Sequence, residues 1–164
     1  MVERCMQLRI TAFAGALALV FLLPACGGGG SGVAVSTQLG LATQSASQEV
    51  PEQVLRREGY RIERSDGPPN VQVRTEWRYR SPLPDEGELG VTEARTRIIV
   101  EGRQRGSDIQ QIALFNMRMR VQNEGRSESG GDFTNLDATE DFTDYVGAIA
   151  QEIRDRYEMG IRME

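Results

Sequence analysis

The chain is expected to fold, over residues 49–164, as a two-layer α+β domain: a four-stranded antiparallel sheet with an N-terminal and a C-terminal helix on one face, in the order α-β-β-β-β-α. Three observations carry this expectation. Apolar and polar residues alternate with a period of two in Val71–Arg80, Val91–Gly102 and Gln111–Asn123, as in half-buried strands. Apolar residues recur at three- and four-residue spacing in Thr139–Met159 (Phe142, Tyr145, Val146, Ile149, Ile153, Tyr157), the stripe of an amphipathic helix. Loops of hairpin length separate the strands, and a sheet with one apolar face buries it most directly under helices.

The elements follow in order. Glu49–Glu58 is helix-compatible, with Ser47 as a cap, Pro51 in the first turn and Gly59 at the C′ position, where a left-handed residue is favoured. Tyr60–Ser65 alternates as a short strand, and Asp66, Gly67, Pro68, Pro69 and Asn70 are turn chemistry. In Val71–Arg80 the residues Val71, Val73, Thr75, Trp77 and Tyr79 share one face, and Gln72, Arg74, Glu76, Arg78 and Arg80 the other. After a Pro- and Gly-containing loop at 81–90, Ala94, Thr96, Ile98 and Val100 face inward and Glu93, Arg95, Arg97 and Glu101 outward. A loop at 103–110 leads to the fourth strand, where Ala113, Phe115, Met117, Met119 and Val121 oppose Asn116, Arg118, Arg120 and Gln122. Glu124–Ala138 is polar and Gly-rich and reads as loop. The last helix starts among acids (Glu140, Asp141, Asp144) and ends among arginines (Arg154, Arg156), as its dipole favours; Gly160 suits its C′ position.

The first 48 residues are organised differently. Arg4 and Arg9 precede an uncharged, mostly apolar run, Ile10–Leu23, of 14 residues. That is the layout of an export signal and is shorter than the roughly 18 residues of a spanning helix. Leu23, Pro24, Ala25 and Cys26 follow. This stretch resembles the lipobox of bacterial lipoproteins, with an aliphatic residue at −3, a small one at −1 and cysteine at +1; Pro24 stands where Ala or Ser is commoner. The resemblance implies cleavage before Cys26, lipid on its sulfur and anchoring in a membrane of the cell envelope. With no aspartate after Cys26, it also implies sorting to the outer membrane, facing the periplasm. A diacylglyceryl group and a further acyl chain make such an anchor stable, because each buried CH₂ contributes ~0.8 kcal/mol. Residues 1–25 are then signal peptide. Residues 26–48 read as lipidated Cys26 and flexible tether, GGGGSG at 27–32 followed by an uncharged stretch at 33–48 that reads as more tether, with a weak strand or helix as the alternative.

Composition narrows the function. The only other cysteine, Cys5, lies in the signal, so the domain cannot form a disulfide. Every one of the 19 cations is arginine; there is no histidine, and the formal net charge is −5. Without His, Lys or a free Cys, most general bases and nucleophiles are missing, and no motif implies a cofactor. Asp85, Glu86 and Glu88 could be considered as the carboxylates of a glycan hydrolase, but acids in a Pro/Gly loop are ordinarily solvated. The acids Asp132, Asp137, Glu140 and Asp141, with Asn135, could suggest calcium; their spacing is not an EF-hand, and helix capping accounts for them, so no metal is expected. Trp77, Tyr79, Phe115, Met117 and Met119 could line a lipid-sized pocket, although such residues are ordinarily core.

The candidate binding residues are the arginines of the polar sheet face: Arg74, Arg78, Arg80, Arg95, Arg97, Arg118 and Arg120. Guanidinium groups fork onto carboxylates and phosphates, so this face is expected to meet an anionic partner, either an envelope protein or an anionic lipid. Cross-strand Arg–Glu pairing on a solvated face is the plainer reading. The export signal and acidic balance argue against nucleic acid. The expected function is a membrane-anchored, non-enzymatic binding or adaptor domain for an envelope protein, with lipid or glycolipid binding, and more remotely glycan hydrolysis, as the alternatives. The layout is similar, at fold level only, to small outer-membrane lipoproteins such as the lipopolysaccharide-assembly lipoprotein, and fold alone carries no function.

Overall fold

In the computed structural model, which describes residues 32–105, 113–127 and 130–163, the chain order is β1 (Val33–Thr43), α1 (Gln44–Arg57), β2 (Ile62–Asp66), β3 (Asn70–Thr75), β4 (Arg78–Arg80), α2 (Pro84–Glu88), β5 (Val91–Gln104), β6 (Leu114–Ser127), β7 (Thr134–Asn135) and α3 (Glu140–Met163). The export signal, Cys26 and the expected start of the fourth strand at Gln111 lie outside the described residues.

Strand and helix are both present, but the four-stranded, two-helix arrangement is overturned. The sheet has seven strands, all antiparallel where they pair, in the order β1-β6-β5-β3-β2, with β4 also pairing β5 and β7 pairing β6. Among the described residues there are three helices.

The largest correction is β1. Val33–Thr43, expected to continue the tether, pairs along its whole length with β6, from Val33 opposite Gln122 to Thr43 opposite Leu114. Its sequence carries no charge to mark it, yet Leu39 and Ala42 are buried against the helices. An uncharged segment that buries apolar side chains and satisfies its backbone on a neighbour is a strand, whatever its local composition. Residues 33–43 therefore belong to the sheet.

The second correction is a parity change. Val71–Arg80 is not one strand: β3 and β4 both pair β5, with Arg74 opposite Ile99 but Arg78 opposite Thr96. One more residue lies between these pairs on the β3–β4 side than on β5. Side chains alternate with a period of two, so a single extra residue exchanges the faces of everything after it. Val71, Val73 and Thr75 point into the core as expected, while Tyr79 is 63% exposed and Arg78 and Arg80 turn inward.

The two long helices cover one side of the sheet. Ile98 and Val100 of β5, Phe115, Met117, Met119 and Val121 of β6, and Val71 and Val73 of β3 meet Val54 and Leu55 of α1 and Phe142, Val146, Ile149, Ile153 and Tyr157 of α3. Burial of each such side chain is worth about 1.5–3 kcal/mol, and with no cysteine after Cys26 this core holds the domain without covalent help. α1 starts five residues earlier than expected, with Thr43 rather than Ser47 at the N-cap, so Pro51 lies inside the helix. Its end is as the sequence suggests: Gly59 has φ +82°, and the Tyr60 and Gly59 amides donate to the Leu55 and Arg56 carbonyls at 2.9 and 3.1 Å, the paired bonds of a Schellman cap. α3 continues through Gly160. Arg154 Nε donates to the Gln38 carbonyl at 3.1 Å, tying α3 to β1, and Arg57 pairs with Glu152 between α1 and α3.

Candidate functional site

Among the described residues, the other side of the sheet carries no helix. Its outward residues come from the alternate positions of β5 and β6, chiefly Arg95, Arg97, Glu101, Arg118, Arg120 and Glu124, joined by Arg74 of β3. Five of the seven candidate arginines (Arg74, Arg95, Arg97, Arg118, Arg120) therefore share this face. Arg78 and Arg80 do not, because of the parity change before β4.

The excess positive charge expected there is largely met by carboxylates. Arg74 lies 3.0 Å from Glu63, which also reaches Arg97 at 3.9 Å; Arg95 is 2.5 Å from Glu124, Arg120 is 3.4 Å from Glu101, and Arg126 is 2.6 Å from Glu93. Glu63 and Glu124 were not counted on this face from the sequence: Glu124 fell just past the expected end of its strand, and an irregularity in register between Ile62 and Arg64 changes how β2 presents its residues.

Aromatic rings lie among these pairs. Arg95 and Arg97 each stand over the Trp77 ring, with Cζ 4.5 Å from the centroid. Arg95 is also 4.3 Å from the Phe133 ring centroid, Arg126 is 5.2 Å from it, and Tyr79 meets Phe133 edge-on at 5.8 Å. Guanidinium over an aromatic face is attractive by about 0.5–1 kcal/mol at exposed sites. The result is one connected group, Arg97–Trp77–Arg95–Phe133–Arg126, with Tyr79 projecting beside it. Trp77 and Tyr79 were expected on the apolar face with Phe115, Met117 and Met119; those three are core, so the five residues line no common pocket. Phe133 sits in the Gly-rich segment before β7 and had no periodic neighbours to single it out.

The inward arginines build two polar clusters under the helices. Arg78 Nη1 donates to the Tyr145 hydroxyl at 3.0 Å, that hydroxyl is 2.9 Å from the Tyr60 hydroxyl, and the guanidinium lies 5.0 Å from the Tyr60 ring centroid. Arg80 makes a two-pronged contact with Glu86, Nη1 to Oε2 and Nη2 to Oε1, both at 2.6 Å. Asn123 Nδ2 donates to Oε1 at 2.8 Å and the Leu83 amide to Oε2 at 2.9 Å, while Arg80 Nε donates to Thr96 Oγ1 at 3.0 Å. Burial pushes the Glu86 carboxyl up, but the hydrogen bonds from Arg80, Leu83 and Asn123 outweigh it and hold the group below its ordinary value.

Glu86 was expected to be solvated; it is instead fully buried, with each oxygen accepting two bonds from protein donors. Such a carboxylate offers a substrate nothing; it fastens α2 to the sheet. Its neighbour Asp85 is used likewise: the Asp141 amide donates to Asp85 Oδ2 at 2.9 Å at the start of α3. Among the described residues no group of three or more His, Cys, Asp or Glu side chains could hold a metal ion, and no helix is long and apolar enough to cross a membrane.

No protein-family model matches the chain, and no curated protein is significantly similar to it.

Proposed function

We propose that the chain is a lipid-tethered, non-enzymatic binding module of a bacterial cell envelope, facing the periplasm from the outer membrane, that docks an envelope protein through the helix-free face of its sheet. The observation that carries this reading is the arginine–aromatic group around Trp77. Protein interfaces are distinguished by Trp, Tyr, Phe and Arg at their centres rather than by overall hydrophobicity. Here those residue types converge at one place, already held by ion pairs and ring contacts. Order of this kind, present before binding, lowers the entropy cost of association.

The lipobox supports the anchor, and the short connection supports a location at the bilayer. Six residues lie between Cys26 and Val33, seven chain steps with a reach of about 25 Å at most at ~3.5 Å per residue. Partners of the sheet face would thus be proteins at or near the same membrane.

The test is purification of the full-length protein from native membranes in mild detergent after brief cross-linking, with mass spectrometry of everything retained. A stoichiometric protein is expected, and it should be lost with Tyr79→Glu or Arg97→Glu, neither of which touches the core. Retention of the partner by both variants would rule out this face; bound lipid without protein would favour a carrier instead. Metabolic labelling with palmitate, abolished by Cys26→Ser, tests the anchor separately.

A further inference from the structure

We infer that Arg103 and Arg118 form a second binding site, for an oxyanion (a carboxylate or phosphate group), at the end of the sheet face away from the tether. It lies apart from the aromatic group and does not rest on the docking of a protein there; only the source assigned to the anion rests on the lipid tether proposed above.

The pattern of pairing singles out this place. Arg64, Arg74, Arg95, Arg97, Arg120 and Arg126 each form an ion pair. Arg103 and Arg118 have no carboxylate partner among the described residues, and they are close neighbours: on adjacent β5 and β6, Arg103 stands opposite Asn116 and Glu101 opposite Arg118. Together with Gln38 of β1 these residues line a depression of about 330 Å³, room for a small anionic group on an otherwise pleated face.

The depression has the chemistry of an anion site. Gln38, with its amide oxygen turned toward Arg118, accepts from Nη2 at 2.9 Å and from Nε at 3.0 Å, which fixes the guanidinium plane and leaves Nη1 to donate elsewhere. Asn116 adds an amide donor. Glu101 is the one acid of the lining, and Arg120 approaches it at 3.4 Å, so its charge is countered from outside the depression. Two guanidinium groups without a carboxylate partner among the described residues, Arg118 held in plane by Gln38 and Arg103 exposed beside it, suit a group with several acceptor oxygens, since each can make charge-assisted bonds to it.

Position narrows the source. A side chain on Gly32, where the described chain begins, would meet Asn135 Oδ1 at 2.7 Å, and Asn135 pairs with Glu124. Arg118 is six residues farther along β6, about 20 Å at ~3.3 Å per residue. Headgroups of an anchoring leaflet would lie toward the other end, so the anion is expected to come from a soluble molecule or a partner protein.

The experiment is isothermal titration of the full-length chain in neutral detergent with inorganic phosphate and, separately, glutarate. Saturable binding of at least one is expected, weakened about tenfold or more by Arg103→Gln or Arg118→Gln and unchanged by Arg74→Gln on the same face. The anion bound more tightly gives the source chemistry, and phosphatidylglycerol mixed into the micelles should not compete. Competition would overturn the assigned source; no saturable heat with either anion, or unchanged affinity in the double variant that combines Arg103→Gln with Arg118→Gln, would overturn the site. Should the double variant lose its fold, Gln38→Leu replaces it: this removes the group that orients Arg118 without changing charge, and binding must still weaken.

Discussion

Arg80 and Glu86 face one another along two parallel hydrogen bonds of 2.6 Å, with the carboxylate at 0% exposure and the arginine side chain at 11%. Breaking a buried pair from one side leaves the other charge uncompensated, at a cost of about 3–5 kcal/mol. Glu86→Ala is therefore expected to lower unfolding free energy in urea by that order, and Glu86→Gln by less, because the amide can still accept from Arg80. The pH dependence follows from the direction of the shift. The folded carboxyl lies below its ordinary 4.5, so on acidification the unfolded chain takes up the proton first. The contribution of Glu86 is whole above about that pH and is lost as pH falls through the folded value. Glu86→Gln should flatten this acid limb. A variant that loses stability in acid as steeply as the parent would show that Glu86 is not the sensor.

At the alkaline end the burdened groups are Tyr60 and Tyr157. Burial raises both above the ordinary 10; at Tyr60 the neighbouring Tyr145 adds to the rise, and the Tyr157 hydroxyl has no hydrogen-bond partner. Unfolded chains ionise these phenols near 10, folded ones only higher, so stability is complete below that pH and declines as pH rises beyond it. Two of the four tyrosines should then ionise together with unfolding, seen as a step in phenolate absorbance that coincides with loss of the circular-dichroism signal. Tyr157→Phe is expected to shrink the step and cost little at neutral pH, because the hydroxyl it removes has no partner among the described residues. A marked loss at neutral pH would mean that this hydroxyl has a partner in solution.

Much of this architecture could be read from alternation alone. The inward residues of β5 and β6 and the apolar stripe of α3 are where their spacing puts them, because each of these elements buries one face along most of its length. Two features were harder to read. β1 alternates only weakly (Val33, Val35, Leu39, Leu41) and carries no charge on the positions between, and two irregularities in its register with β6 break the alternation, so that Leu39 and Ala42 are the apolar residues buried. The residue gained between Arg74 and Arg78 leaves the alternating pattern of Val71–Arg80 intact while reversing its meaning. That one residue sent Trp77 and Tyr79 to the face away from the helices and Arg80 to Glu86. Five of seven arginines were placed correctly and the two beyond the irregularity were not. Phe133 and Arg103 were missed because each lies in a segment that reads as loop.

Packing against the sheet gives opposite expectations for three glycines. A side chain on Gly102 would meet Met117 Sδ at 2.5 Å and Val71 Cβ at 3.1 Å, and one on Gly125 would meet Leu136 Cδ1 at 2.7 Å and Val91 Cγ1 at 2.8 Å, whereas one on Gly147 in α3 would meet nothing within 4 Å beyond its own helix among the described residues. Gly102→Ala and Gly125→Ala are expected to destabilise by about 1–3 kcal/mol through overpacking. Gly147→Ala should stabilise by about 0.5–1 kcal/mol, the helix preference of alanine. Thermal melts of the three variants check this directly. If Gly102→Ala melted with the parent, the close approach of β3, β5 and Met117 would be looser than described.

The arginine–aromatic group can be tested without knowing the partner. Trp77 is the only tryptophan in the chain, so intrinsic fluorescence reports from this face alone. A double-mutant cycle with Trp77→Leu and Arg97→Gln should give a coupling of about 0.5–1 kcal/mol in unfolding free energy, because Arg97 Cζ lies 4.5 Å from the ring centroid. The same cycle with Trp77→Leu and Arg118→Gln should give none, since Arg118 makes no contact with the ring. When the partner docks, water leaves the half-buried indole and its emission should move to shorter wavelength; oxyanion binding at Arg118 should leave the emission where it is. A coupling near zero for Trp77 and Arg97 would mean that the ring and the guanidinium do not hold each other in place, and the docking face would lose the order that recommends it.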